Sequence, residues 1–173
     1  MRALRSLALV AAVAALATAA PVSAATTTRT SGNRNLPIVD RRATSSAIKV
    51  TTAGAIKDVN VSVRLDHAAV GDLDLYLVSP SGIVVQLSTN NGSGADWGTG
   101  ADDCTGAATV FDDEAPHPIY QASAPFSGSW QPEQPLSTLD GKSQKGVWRL
   151  IVGDNTANGQ GGTLYCWKLR ITV

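Results

Sequence analysis

Two histidines, two cysteines and fourteen acidic residues are the parts of this 173-residue chain with which chemistry could be done. His67 stands just ahead of a Gly71-Asp72 turn, and His117 lies in Pro116-His117-Pro118. A serine hydrolase needs a serine activated by a histidine that an acid holds in place. No Gly-x-Ser-x-Gly elbow presents such a serine here. His67, Asp72 and Ser79 or Ser81 are the one set from which composition could build a triad. Zinc is equally poorly served, because two scattered histidines and two distant cysteines do not make a ligand set. The expectation is a chain without catalytic residues.

The acids are unevenly placed. Between Arg64 and Lys142 there is no Lys or Arg, yet eleven acids fall there. Carboxylates without cationic neighbours require either solvent or a bound cation. They are densest from Asp96 to Glu114, where Asp102-Asp103 and Asp112-Asp113-Glu114 flank a short apolar run. Hard oxygen ligands on irregular backbone suit Ca2+, although no EF-hand spacing is present. Two readings stand: a structural calcium held by Asp102, Asp103, Asp112 and Asp113, with Asp96 a weaker candidate, or a solvated acidic loop. Trp97, Tyr120, Phe126 and Trp130 lie in the long irregular stretches. Exposed, they could form a carbohydrate- or peptide-binding platform; buried, they would cap the core.

The N-terminus sets the compartment in which these groups work. Arg2 and Arg5 precede an Ala-, Val- and Leu-rich run to Ala20, and Val22 and Ala24 suit the small-residue positions before a signal peptidase cut. Residues 1–24 are therefore expected to be an export signal and the mature chain to be secreted. The run is shorter than the roughly 20 residues of a spanning helix, so no membrane contact is expected after cleavage. Cleavage leaves 12 basic and 14 acidic residues, net −2, which disfavours nucleic acid as a partner. In an oxidising compartment Cys104 and Cys166 are expected to form a disulfide.

The elements that must position these residues read as strands. Residues 25–46 are rich in Thr, Ser, Arg and Asn with little apolar periodicity, and read as a flexible leader. Within it, Arg41-Arg42 is a dibasic pair of the kind trypsin-like proteases cut, or simply a solvated charge pair. Val59, Val61, Val63 and Leu65 alternate with polar residues, as in a half-buried antiparallel strand. Leu73–Ser79 and Ile83–Ser88 alternate on either side of Ser79-Pro80-Ser81-Gly82, a hairpin signal. Residues 89–106 are glycine-rich and irregular, and a short strand covers Ala108 to Phe111. Five prolines punctuate residues 112–146 before two strong strands, Val147–Val152 and Thr163–Val173. No segment has helical periodicity. The fold class is all-β, a jelly-roll-like β-sandwich of about eight strands over residues 47–173.

Three stretches carry more than strand patterning. His67 leads to Gly71-Asp72-Leu73 and Ser79-Pro80-Ser81-Gly82; Gly146-Val147-Trp148 runs on to Gly153-Asp154; and Gly162-Thr163-Leu164 closes on Trp167. In this order and spacing they resemble the P domain, also called Homo B, of proprotein convertases, over roughly residues 47–173. The resemblance implies a sandwich that follows a subtilisin-like catalytic domain and stabilises it, with His67, Gly71, Asp72, Leu73, Ser79, Pro80, Gly82, Gly146, Trp148, Asp154, Gly162 and Trp167 in structural roles. A leader of about 20 residues leaves no room for a protease domain, so a P domain standing alone is expected. Its expected partner is an exported protease or another extracellular protein. The alternatives are a carbohydrate-binding sandwich, which needs Trp97 and Trp130 exposed on one face, and an accessory subunit of a serine endopeptidase acting in trans.

Overall fold

The computed structural model describes residues 24–94 and 96–173. Residues 1–23, nearly all of the expected export signal, lie outside the described residues. Ten strands form two packed sheets. One sheet orders β1 (Thr26–Thr30), β10 (Gly162–Thr172), β4 (Asp58–His67), β7 (Thr109–Phe111) and β8 (Gly128–Trp130), with β2 (Leu36–Ile38) also pairing β10. The other orders β3 (Ala43–Val50), β9 (Gly146–Asp154), β5 (Leu73–Val78) and β6 (Val84–Thr89). Every pairing is antiparallel except β7 with β8.

Period-two alternation becomes burial because a strand sends alternate side chains to opposite faces. Val59, Val61, Val63 and Leu65 of β4 face Leu73, Leu75 and Leu77 of β5 and Trp148, Leu150 and Val152 of β9 within one core. A register shift between Leu164 and Cys166 changes the phase of β10, so that Leu164 and then Trp167, Leu169 and Ile171 all turn inward. In the β5–β6 turn, Gly82 takes φ +84° and donates to Ser79 O at 3.0 Å, while Ser79 N donates to Ile83 O. Pro80 then packs on Gly146, where an added Cβ would lie 2.5 Å from Pro80 Cβ. Two motif residues distant in sequence are thus one contact.

The leader expectation is corrected. Residues 25–46 are not a flexible segment but supply β1, β2 and the start of β3, so the sandwich begins near residue 25 rather than 47. Ser31 N and Arg34 N donate to Trp167 O and Tyr165 O, continuing the attachment to β10. Thr26, Thr27, Thr28 and Thr30 form a strand without an apolar face, because main-chain pairing with β10 holds it and β-branched residues suit extended backbone. Arg41-Arg42 accordingly sits in a tight turn, where Arg41 has φ +57° and Arg42 N donates to Val39 O. The β8 strand was likewise unpredicted and lies within the proline-rich stretch.

Candidate functional site

β4 places the two residues on which the motifs converge. At its end His67 is fully buried, its Nε2 3.1 Å from Asp154 Oδ2 and its Nδ1 2.8 Å from Ala69 O. Asp154 closes β9 in the opposite sheet, so the pair clamps the two sheets together. Asp72 reinforces the clamp: its carboxylate accepts from Asn158 Nδ2 at 2.7 Å, and its carbonyl accepts from Asn155 N. Ser79 Oγ instead meets Ser81 Oγ and Ile83 N in the hairpin turn. That turn lies a six-residue strand away from Asp72, roughly 20 Å. Among the described residues no serine hydroxyl bonds either histidine, and the triad that composition allowed is not assembled.

The indole groups of the motif also tie elements together. Trp148 Nε1 donates to Gln144 O at 2.9 Å, and Trp167 Nε1 donates to Ser46 Oγ at 2.9 Å, joining β10 to β3 across the sandwich. Gly162 lets β10 lie against β4 so closely that a Cβ there would stand 2.0 Å from Asp66 O. These residues do architecture.

The second centre, which sequence reasoning missed, is Arg64. Its side chain is 4% exposed and the glycine-rich loop folds around it. The guanidinium donates to Leu65 O at 2.9 Å, Trp97 O at 3.4 Å, Gly100 O and Ala101 O at 3.3 Å, and Asp102 Oδ1 at 2.6 Å. It also lies 5.4 Å from the centre of the Tyr165 ring. A planar fork of five donors is what a loop with clustered carbonyls can wrap. The only available signal was position: Arg64 is the last cation before the long run that lacks them.

This changes the reading of the acids. Asp102 pairs with Arg64, and Asp103 accepts from Thr105 N and Oγ1, both at 2.6 Å, which holds its carboxyl below the usual range. Asp112 accepts from Asn60 Nδ2 and Glu114 N, and both oxygens of Asp113 accept from Leu136 N and Ser137 N. Asp96 lines an open cleft of about 390 Å3 with Asp66, His67 and Gly161 to Thr163. The five residues are therefore not gathered into one site, and among the described residues no three His, Cys, Asp or Glu groups are placed to hold a metal ion. As a calcium set they do not fit. Asp58, by contrast, faces Asp112, Asp140 and Asp113, and its carboxyl is raised by burial and by their charges, with Arg170 opposing.

Cys104 and Cys166 form the expected disulfide, which ties the acidic loop to β10. The aromatic platform is overturned for its central member. Trp97 is fully buried, stacked 4.2 Å from Phe126 and 5.6 Å from Phe111 between ring centres. Trp130 is half-buried with Nε1 donating to Ser127 O, and Tyr120 stands 65% exposed. The exposed tryptophan pair that a carbohydrate-binding sandwich required is absent.

Comparison with known proteins follows the same lines. A family model described as proprotein convertase P-domain matches residues 56–171. No curated protein matches. Among solved structures, a serine protease of Aeromonas sobria superposes with TM-score 0.58 at 21% identity, covering 88% of this chain and 27% of that one. The structure of that organism's serine protease in complex with a chaperone gives TM-score 0.57 at 21% identity, covering 87% of this chain and 27% of that one. At that identity the likeness is one of fold, and the chain spans about a quarter of either structure's length. With two thirds of its residues inside the matched segment, the chain belongs to the proprotein convertase P-domain family.

Proposed function

We propose that this chain is a non-catalytic, exported protein-binding module that stabilises a subtilisin-like serine protease. The observation that supports the reading is the fate of His67. Buried between Ala69 O and Asp154, the imidazole has no open nitrogen and no serine beside it. A general base must reach the proton it removes, and this one reaches only its own scaffold. Membership of the P-domain family supports a protease as the partner class, and the export-signal pattern of residues 1–24 supports the exported location.

Two measurements test the reading. The purified chain is treated with a serine-directed fluorophosphonate probe and assayed on peptide substrates; no labelling and no turnover are expected, and a labelled serine would overturn the proposal. A subtilisin-like protease is then heated with and without an equimolar amount of the chain. A longer inactivation half-life is expected, and an unchanged one counts against the stabilising role.

A further inference from the structure

The sandwich has edges, and they are not equally protected. Along β6, residues 133–134 act as a cover: Glu133 N donates to Leu87 O and Gln134 N to Gln86 O, while the Glu133 carboxylate accepts from Thr89 N and Oγ1, Gln86 and Asn91. β8 is three residues long and β1 five. β3 is eight residues long and ends its sheet. Its ladder with β9 has a defined phase, because Asp154 N donates to Arg42 O. The alternation of an antiparallel pair then turns the main-chain groups of Thr44, Ser46, Ile48 and Val50 toward β9, and those of Ala43, Ser45, Ala47 and Lys49 away from it. Among the described residues no hydrogen bond engages these four outward N–H and C=O groups. Ala43, Ser45 and Lys49 are exposed and Ala47 is half-buried.

Positive charge gathers in the segment that holds this edge, and Arg41, Arg42 and Lys49 lie along it. Residues 25–50 carry Arg29, Arg34, Arg41, Arg42 and Lys49 against one acid, Asp40, whereas the rest of the described chain is net acidic. Arg41 and Arg42 stand exposed at the start of β3, Lys49 near its end, and exposed Arg149 lies on β9 opposite Ala47. We propose that β3 is a docking edge that takes an extended acidic segment of a partner protein as an additional antiparallel strand. Main-chain bonds to the outward residues supply the attachment, as in other strand additions, and the flanking cations select acidic side chains. A second copy of this chain is the poorer occupant. Antiparallel self-pairing would bring Arg41 and Arg42 of one copy beside Lys49 of the other, and like charges across a pair repel.

The proposal rests on the protein-binding reading above and names the kind of segment bound. The probe is a blocked nine-residue peptide alternating glutamate with valine or threonine, compared with the same peptide carrying lysine for glutamate. The full chain is expected to bind the acidic peptide at least tenfold more tightly in calorimetric titration. Amide exchange by NMR is expected to slow at least tenfold at Ala43, Ser45, Ala47 and Lys49. Ala47→Pro removes one outward donor and no β9 bond, a position proline tolerates on an edge, and should weaken binding at least tenfold. Arg42→Glu with Lys49→Glu should reverse the peptide preference, which keeps the proposal testable if the proline variant misfolds. Unchanged exchange at all four amides, equal binding by Ala47→Pro, or a β3-dependent dimer would each overturn it. A protease stabilised equally by wild type and Ala47→Pro sinks the edge alone, whereas a protease stabilised by neither sinks the parent reading.

Discussion

Removing the Arg64 guanidinium measures what holds the glycine-rich loop. In Arg64→Met the aliphatic stem is kept and the five donated bonds are lost. Leu65 O and Trp97 O still accept from Trp97 N at 3.0 Å and Leu65 N at 3.1 Å, and exposed Gly100 and Ala101 can turn their carbonyls to water. The loss is then mainly the charge-assisted bond to Leu65 O at 2.9 Å, about 1.5–3 kcal/mol. The ion pair adds no more than about 1 kcal/mol, since the Asp102 side chain is 60% exposed. A total of about 1.5–4 kcal/mol lowers the melting temperature by roughly 3–16 °C for a domain of this size. Asp102→Asn should cost no more than about 1 kcal/mol. Calorimetric melts of both variants, with amide exchange at Gly98 and Thr99 whose N–H groups bond Phe126 O and Ala107 O, read the two effects apart. A melt of Arg64→Met within 1 °C of wild type, or an Asp102→Asn loss equal to it, refutes the argument that loop carbonyls rather than the ion pair use this cation.

Other outcomes follow from the same geometry. Replacing both Cys104 and Cys166 by alanine opens a loop of 62 residues and should cost about 4 kcal/mol in guanidinium unfolding on the chain-entropy model; a loss below 1 kcal/mol counts against it. Burial, and then the bond and charge of Asp66, push the Tyr165 hydroxyl up to about 12. The unfolded chain therefore releases this proton first, so stability should fall from about pH 10 toward pH 12. Tyr165→Phe should lessen that fall, and absorbance at 295 nm should show the late-titrating phenol. Because Asp102 and Asp103 are held apart from Asp112 and Asp113, a chelator should leave the melting midpoint within 1 °C. A drop of several degrees would mean that the carboxylates around Asp58 gather a cation after all.

What was legible in the sequence was whatever one side chain could announce. Val59 to Leu65 and Leu73 to Val78 alternate because one face of each strand is in the core, and Gly82 marks its turn because φ is positive there. β1 was illegible because its threonines show no apolar face; its reason for being a strand is β10, some 140 residues later. Trp97 left two readings open in the sequence, an exposed platform or a cap on the core. The fold decides for the cap, because Trp97 N and O pair with Leu65, drawing the loop backbone into the sheet and the indole into the core. Arg64 looked like an ordinary outward residue of β4, since only the folded loop reveals how many carbonyls surround it. The motif set was readable as architecture because His67, Asp154, Pro80 and Gly146 act in pairs. No single member of those pairs declares its partner.

The place of β10 in the sheet has a consequence for timing. It is the last strand of the sandwich to leave the ribosome, yet it lies between β1 and β4 and also receives β2. Until it arrives, β1 and β2 lack their partner strand and β4 is paired on one side only, with β7, so that sheet stays incomplete while the rest is synthesised. A chain arranged this way cannot close its sandwich from the front. Its folding should be all-or-none and slow, on the order of milliseconds to seconds as for other proteins dominated by distant pairings.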